Sequence, residues 1–348
     1  MLSPVARENG WQLAERAGER PPTGMRRLPH AAAWDVEAVR DDLRACVVAH
    51  LGDPGGVPIL DETGFLKQGR RSVGVRRQHC GAAGRIAHCQ LGVFLCCATR
   101  HGAAFLDRAR YLPQGWAGDA ARRAAAGVPG DVAFATKPAL GRALVERALD
   151  AGAPTAWGTG DSVYGNDRRL RLWLEERRQP SVLAIRADEP LWQDGPHHVP
   201  AEAIAASRPA DRWRRRSAGA GAKGPRRYDR AWREVRRLQL TAAERARGHR
   251  LLVRRSLADP TERAYYSAFA PRRAATLARL AAVAGARWQI ESGFAAAKGE
   301  CGLDEYAVRT WDAWHGHRTL ALLARAFLAA IRAREAKKGA RSPAICPR

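Results

Sequence analysis

The sequence predicts an α/β fold, because short apolar runs typical of buried strands alternate with amphipathic helical patterns. Residues 91–98 form a continuous apolar run of the kind found in a central strand. Residues 138–152 place apolar side chains at three- and four-residue steps, as an amphipathic helix requires. With 348 residues, of which 46% are hydrophobic, the chain can bury the sizeable core that such a fold needs.

The N-terminal part is predicted to be helical over residues 10–50, and Asp35 stands near the start of its second helical pattern. The pattern then changes at 52–65, where Pro and Gly surround a short apolar run that ends on Asp61. This run predicts a buried strand with a carboxylate at its end. Pro58 is unfavourable within it, because proline lacks the donor that a strand ladder uses.

Three strands separated by two turns are predicted over residues 72–113. After the helix at 138–152, a second short run ends in Gly and then Asp161. A further helix at 168–178 and a strand at 181–187 follow. The order strand, helix, strand, helix, strand supports the α/β assignment.

Residues 186–270 differ in composition, since arginines surround a Gly- and Ala-rich centre. We interpret this stretch as a basic, β-rich insertion domain with a flexible cationic loop. From residue 271 the pattern is helical to about 333, and the tail 334–348 is predicted to be disordered.

The formal net charge of +24 favours a polyanionic partner, and a basic domain is the usual electrostatic footprint of nucleic-acid binding. A GC-rich genome that encodes much Arg is a partial alternative cause. The seven cysteines are odd in number and scattered, which argues against a disulfide framework. The pairs at 79–80 and 88–89 match no common zinc spacing, so a reduced structural set is favoured. No apolar leader or membrane span is apparent, and a cytoplasmic protein is expected.

The stretch "RWQIESGFAAAK" places three charged residues on one helical face, because each residue advances by about 100°. Arg287, Glu291 and Lys298 share that face, while the rest of the helix is mostly apolar or small. A carboxylate on such a helix needs a partner or a metal. The alternative is an ordinary surface ion pair between Arg287 and Glu291.

Two further carboxylates, Asp61 and Asp161, follow strand-like runs, and functional groups in α/β sheets gather at strand ends. Together with Glu291 they form an all-oxygen donor set that suits Mg²⁺. Two such ions would hold the attacking and leaving oxygens of a phosphoryl displacement. Spacing alone does not prove the triad, since any chain offers many acidic triplets.

The stretches "LDETGFLKQG", "GDSVYGND" and 287–331 resemble DDE-type insertion-sequence transposases. The chain looks most like insertion-sequence family seven-oh-one, which is related to the group with a Tyr-x2-Arg-x3-Glu-x6-Lys signature. The resemblance spans roughly residues 8 to 332. Arg287, Glu291 and Lys298 match the signature, whereas Ala284 stands at the Tyr position.

This resemblance implies an RNase-H-like catalytic core, a mixed sheet flanked by helices, with Asp61 and Asp161 on strands and Glu291 on a helix. It implies two Mg²⁺ ions, with Mn²⁺ as a substitute, held by these three catalytic residues. The implied reaction is hydrolysis of phosphodiester bonds at the element's ends, followed by strand transfer of the 3′-OH into target DNA. The implied partner is double-stranded DNA, both terminal inverted repeats and target, bound by a homodimer at the nucleoid.

Several side chains are predicted to contact DNA. Lys67 is equally well read as a solvated loop residue, and Tyr164 as a packing residue. The arginine runs interleaved with Trp213, Tyr228 and Trp232 suit phosphate binding with base stacking. The predicted DNA contacts are Lys67, Tyr164, Arg287, Lys298, Arg214, Arg215, Arg226 and Arg227.

The predicted domain organisation has five parts. These are a helical, DNA-binding N-terminal region at 1–52, expected to be shortened; a first core part at 53–185; the insertion at 186–270; the second core part at 271–333; and the tail at 334–348. Two alternatives stay open. The first is a catalytically decayed transposase that only binds DNA, which Pro58 and the short N-terminal region favour. The second is another RNase-H-like nuclease.

Overall fold

The computed structural model describes residues 10–19, 21–24, 27, 32, 34–193, 197–221, 224–235 and 247–339. The chain divides into two compact units, each built from separate stretches. Unit 1 comprises Met1–Asp53, Asp61–Pro154 and Ile290–Arg348, and unit 2 comprises Pro54–Leu60 and Thr155–Gln289. Compact units therefore do not follow the five consecutive parts predicted from the sequence, because distant stretches fold together.

Unit 1 combines helices with a β-meander. Its helices are α1 (Gly10–Arg16), α2 (Val36–Leu51), α3 (Gln114–Ala117), α4 (Ala120–Ala125), α5 (Lys137–Asp150), α10 (Trp288–Cys301, from Ile290 onward) and α11 (Trp311–Gly339). Its strands are β1 (Val57–Leu66, from Asp61 onward), β2 (Arg76–Cys80), β3 (Arg85–Thr99) and β4 (Gly102–Tyr111). The three strands predicted over 72–113 are confirmed as β2, β3 and β4.

Strand β3 is central to unit 1, since it hydrogen-bonds to β1, β2 and β4. Its residues are buried without a break from Cys89 to Ala98, as the continuous apolar run predicts. Helices α2, α5 and α11 pack on β4. The start of α2 is fixed by Asp35, whose side chain accepts hydrogen bonds from the backbone N–H groups of Glu37 and Ala38, each at 2.9 Å.

Unit 2 is built on a sheet with order β1–β5–β6–β12–β11–β10–β9. Its strands after β1 are β5 (Gly158–Gly160), β6 (Ser181–Ile185), β9 (Arg214–Gly221), β10 (Gly224–Val235), β11 (Arg247–Arg255) and β12 (Arg263–Pro271), and β7 (Pro190–Trp192) pairs with β8 (His198–Pro200) apart from it. Its helices are α6 (Ser162–Gly165), α7 (Arg168–Glu176), α8 (Ala201–Ala206) and α9 (Leu277–Ala286). β1, β5 and β6 run parallel, and the following strands are antiparallel.

The predicted insertion domain at 186–270 is not a compact unit of its own. Strand β12 pairs directly with β6 over five residues, from Tyr265↔Ile185 to Phe269↔Ser181. Strands β9 to β12 therefore extend the same sheet as β5 and β6 of the predicted core. The sequence could not show this, because pairing partners some 80 residues apart leave no local pattern.

Pro58 does not disturb the first strand. β1 begins at Val57, and its parallel pairing with β5 joins Ile59 to Thr159 and Leu60 to Gly160. Proline is tolerated near the first residue of a strand. Pro58 therefore precedes the paired residues of the β1–β5 ladder instead of interrupting that ladder.

Short helix α6 lies against β6 so closely that its last residue must be glycine. A Cβ added to Gly165 would lie 1.8 Å from the carbonyl oxygen of Ala184, which is backbone and cannot swing away. We expect Gly165→Ala to lower the free energy of unfolding by about 2–3 kcal/mol, as overpacking does. Urea denaturation measures this; Gly130→Ala, where nothing lies within 4 Å, is the control and should change stability by less than about 0.5 kcal/mol.

The C-terminal helices differ from the sequence prediction in two ways. Gly302, at a φ of 62°, follows the end of α10, and no helix is assigned over 302–310 before α11 begins. Helix α11 then continues to Gly339, so residues 334–339 of the predicted disordered tail are helical. The ion pair of Lys338 with Glu335 at 2.8 Å supports this last turn. Residues 340–348 lie outside the described residues.

No helix in the described part of the chain is long and apolar enough to cross a bilayer.

Candidate active site

The parallel pairing of β1 with β5 ends at the same level on both strands, although Asp61 does not end β1, as the sequence predicted, because that strand continues to Leu66. Leu60 pairs with Gly160 within unit 2, and the next residue along the chain is an aspartate in both cases, Asp61 and Asp161. In open α/β sheets, functional groups gather at the carboxyl ends of parallel strands. Each of the two "short run, then Asp" patterns thus follows a residue of the parallel pairing between β1 and β5.

Asp161 lies at the start of α6 as its N-cap. Its Oδ1 accepts a hydrogen bond from the backbone N–H of Val163 at 2.9 Å, and its side chain is half-buried. This bond fixes the orientation of the carboxylate at the strand end.

Asp61 is also half-buried, and its Oδ1 accepts a hydrogen bond from the backbone N–H of Glu62 at 2.8 Å. Glu62 in turn forms an ion pair with Lys137 at the start of α5, with 2.5 Å between Nζ and Oε1. Neither member of this pair was among the site residues predicted from the sequence. The adjacency of Glu62 to Asp61 was the available signal, whereas nothing local marks Lys137.

Helix α10 carries Glu291 in its first turn and packs in unit 1 through an aromatic cluster. The ring of Phe294 lies 5.2 Å from that of Phe94 and 5.1 Å from that of Phe105. Seven residues after Glu291, the Nζ of Lys298 donates to the hydroxyl of Thr63 at 3.0 Å. Helix α10 therefore lies beside the segment of β1 that follows Asp61, with Glu291 about 10 Å from Lys298 along the helix axis.

The donor chemistry of Asp61, Asp161 and Glu291 fits a hard divalent cation, because all three offer carboxylate oxygens. In the residues that the structure describes, no three His, Cys, Asp or Glu side chains are grouped as ligands of a metal ion. Asp61 and Glu291 belong to unit 1, and Asp161 belongs to unit 2. The donor set is thus chemically suitable for such a cation.

The cysteines of the two His-Cys pairs, Cys80 and Cys89, are core residues. Cys80 and Cys89 are fully buried and pack with Leu91. Burial and the neighbouring Cys80 raise the pKa of the Cys89 thiol to about 11. Both thiols are free, and Cys89 is therefore protonated near neutral pH.

Tyr164 is the predicted DNA contact that the structure contradicts. Its side chain is fully buried, and it lies so near β5 that a Cβ on Gly160 would be 3.3 Å from its own Cβ. A base cannot stack on a ring that has no exposed surface. The packing role that the sequence left equally open is the correct interpretation.

The arginines of the β9–β10 hairpin fall into two groups. Arg226 is half-buried and donates to the carbonyl oxygens of Ala218 at 2.7 Å and Gly285 at 3.1 Å, so it fastens the hairpin to α9. Arg214, Arg215 and Arg227 are exposed. Of these, Arg215 also contacts the carboxylate of Asp229 at 3.3 Å. The exposed group remains suited to phosphate contact, whereas Arg226 is first a structural residue.

The aromatic rings of this region already stack on arginines of the same chain. The guanidinium carbon of Arg255 lies 4.2 Å from the Trp213 ring, and that of Arg254 lies 4.5 Å from the Tyr228 ring. Arg250 lies 4.4 Å from Trp232 in the same way. All three arginines belong to β11, and their contacts with these rings were not predicted from the sequence.

The remaining predicted contacts lie near the ends of elements. Arg287 is half-buried and follows α9 as its C-cap residue. Lys67 directly follows β1 and is half-buried, with its Nζ donating to the carbonyl oxygen of Tyr306 at 2.8 Å. Neither position excludes a DNA phosphate.

A family model described as DDE superfamily endonuclease matches residues 1–257 of this chain. The matched stretch contains Asp61 and Asp161 and ends before Glu291. No curated protein matches the chain. The mixed sheet of parallel and antiparallel strands, with its helices, agrees with such a nuclease fold. Since the match covers well over half of the 348 residues, the chain belongs to the DDE superfamily endonucleases.

Proposed function

We propose that the protein is the transposase of an insertion sequence, of the kind found in family seven-oh-one. It cleaves phosphodiester bonds at the ends of the element and transfers the freed 3′-OH into target DNA. The observation that carries this proposal is the parallel pair Leu60↔Gly160, followed on each strand by an aspartate, in a chain of the DDE endonuclease family.

In this proposal Asp61, Asp161 and Glu291 hold two Mg²⁺ ions, for which Mn²⁺ can substitute. The bound metal supplies activation of the attacking oxygen and charge stabilisation at the leaving oxygen. The protein's own groups orient the carboxylates: the backbone N–H of Glu62 binds Asp61, and that of Val163 binds Asp161. Lys298, anchored on Thr63, and Arg287 would hold DNA phosphates beside the carboxylates.

Double-stranded DNA is the proposed partner. The net charge of +24 supports a polyanion, and the exposed Arg214, Arg215 and Arg227 offer phosphate contacts on one hairpin. We propose a homodimer on DNA, since two ends must be held together for strand transfer. The protein would act in the cytoplasm at the nucleoid.

The test is cleavage of a plasmid that carries the gene with its own flanking DNA. In Mg²⁺ or Mn²⁺ we expect nicks at the element's ends and strand-transfer products, and in EDTA we expect neither. Metal-dependent nicks without preference for the ends would point instead to another RNase-H-like nuclease. Folded protein that binds the DNA without cleaving it in either metal would overturn the enzyme proposal and favour a decayed transposase.

A further inference from the structure

Lys67 lies in an unusual stack of positive charges and aromatic rings in unit 1. Its Nζ is 3.3 Å from the centre of the Tyr306 ring, in addition to the hydrogen bond with that residue's carbonyl oxygen. The same ring lies 3.9 Å from the guanidinium carbon of Arg318, which also lies 3.7 Å from the Phe65 ring. Two cations thus share one tyrosine.

The arginines behind Lys67 are buried, and among the described residues no carboxylate forms an ion pair with Arg318 or Arg110. Arg318 is 0% exposed, and its described neighbours include the aromatic rings of Phe65, Tyr306 and Trp314. Arg110 is 3% exposed and donates to the carbonyl oxygens of Val73 and Leu91. Buried cations are normally paired with an anion, because desolvation is otherwise uncompensated.

The titratable groups around Lys67 do not supply the missing negative charge. Burial raises the pKa of the Tyr306 hydroxyl, and burial together with Arg318 lowers the pKa of His317 to about 3, so both side chains are neutral near pH 7. From β3, His88 offers its backbone carbonyl oxygen to the N–H of Lys67. Asp304 is exposed and attracts Arg318 and Lys298 from a distance.

We propose that Lys67, backed by Arg318 and Arg110, binds one backbone phosphate of DNA that does not itself react. The inference rests on the proposed function for its partner. An ammonium group has three donors; one is used in the bond to the Tyr306 carbonyl and another faces the Tyr306 ring, so one remains for a phosphate oxygen. Lys67 is half-buried and six residues beyond Asp61 in the chain, which suits a phosphate at the side of the reacting one.

The same surroundings make this contact dependent on pH. Burial, followed by the charges of Arg318 and Arg110, lowers the pKa of Lys67 to about 7. A phosphate binds the protonated form and raises the pKa in the complex. The affinity for DNA should therefore fall as the pH rises through about 7, because the free protein then loses the proton that the phosphate needs.

The first test measures binding of duplex DNA from the element's ends in EDTA, at constant low ionic strength, between pH 6 and pH 8. We expect wild-type affinity to fall about tenfold over this range. Lys67→Arg should bind equally at both pH values, because a guanidinium stays charged. The DNA affinity of Lys67→Met should not change with pH, and at pH 6 it should be as low as that of the wild type at pH 8. The control Lys338→Met removes an exposed lysine and should keep the wild-type profile.

A Lys67→Met variant that retains the tenfold pH dependence would assign that dependence to histidines and overturn the proposal. So would a flat wild-type profile. Since Lys67→Met removes a charge from a buried setting, we expect it to fold; its urea denaturation curve checks this.

A second readout follows Lys67 itself. The chain has six lysines, so reductive ¹³C-methylation gives few NMR signals, and the one missing in Lys67→Met identifies Lys67. We expect this signal to titrate near pH 7 in the free protein and at higher pH with DNA; inorganic phosphate shows whether the bare anion suffices. If DNA raises the pKa of Lys67 but is not cleaved, the phosphate site is supported and the transposase proposal is rejected. If DNA is cleaved but does not shift the titration of Lys67, the transposase proposal is supported and the phosphate site is rejected.

Discussion

Asp61→Asn is expected to lower the rate of DNA cleavage by about 10³-fold, because a metal ion supplies several kcal/mol of transition-state stabilisation. Asn keeps the shape of the side chain, and its oxygen can still accept the hydrogen bond from the N–H of Glu62. The fold should therefore be retained while the charge of the proposed metal ligand is lost. Removing a negative charge should leave DNA affinity equal to or slightly above that of the wild type.

The measurement is the rate of plasmid cleavage in Mg²⁺, with DNA affinity determined separately in EDTA. Asp161→Asn and Glu291→Gln should behave as Asp61→Asn does, since each preserves shape and removes one ligand charge. The matched control is Asp188→Asn, which removes an exposed carboxylate paired with Arg186 at 3.0 Å and should leave the rate within about twofold. A triad variant that cleaves at the wild-type rate would remove that residue from the metal site.

Asp107→Asn is expected to lower the free energy of unfolding by about 1.5–3 kcal/mol, because it weakens the hydrogen bond of Arg147 to a buried carboxylate, while Arg40 and Arg44 keep Asp41 at 2.7 Å. Asp107 is 0% exposed on β4, and its Oδ2 accepts a hydrogen bond from Arg147 at 3.0 Å. Arg44 and Arg40 lie within 3.8 Å and 4.0 Å of the same carboxylate. These contacts join α2 and α5 to β4, so the loss should be felt by the whole of unit 1.

Urea denaturation at pH 7 measures this effect, and Asp211→Asn is the control, since its side chain is 72% exposed. The control should change the free energy of unfolding by less than about 0.5 kcal/mol. A loss below about 0.5 kcal/mol in Asp107→Asn would mean that Asp41, which pairs with both Arg40 and Arg44 at 2.7 Å, compensates the arginines without Asp107.

Much of the fold could be predicted where local pattern decides the structure. The strand predicted at 181–187 is β6, and the helices predicted at 138–152 and 168–178 are α5 and α7, each within about two residues at its ends. The position of Asp61 after a buried apolar run also followed from the sequence, except that β1 continues past it to Leu66. These features are local, because side-chain periodicity and capping residues act within one element.

The DNA contacts show where local pattern is insufficient. Tyr164 and Arg226 carry the residue types of a nucleic-acid interface, yet one is buried against β5 and the other is bonded to α9. Nothing within a few residues of either position reveals the neighbour that covers it. Exposure depends on which elements pack together, and this decides whether an arginine meets a phosphate or a carbonyl oxygen.

The sequence by itself determined the α/β class, the order of most elements, the basic charge that suits DNA, and the aspartate that follows each of two short apolar runs. The tertiary structure alone decided that β12 pairs with β6, so that the basic strands extend the sheet instead of forming a separate domain. It alone placed Arg318 and Arg110 behind Lys67. The physical reason is the same in both cases: strand pairing and buried charge are set by contacts between residues far apart in the chain, and such contacts leave no periodic signal in the sequence.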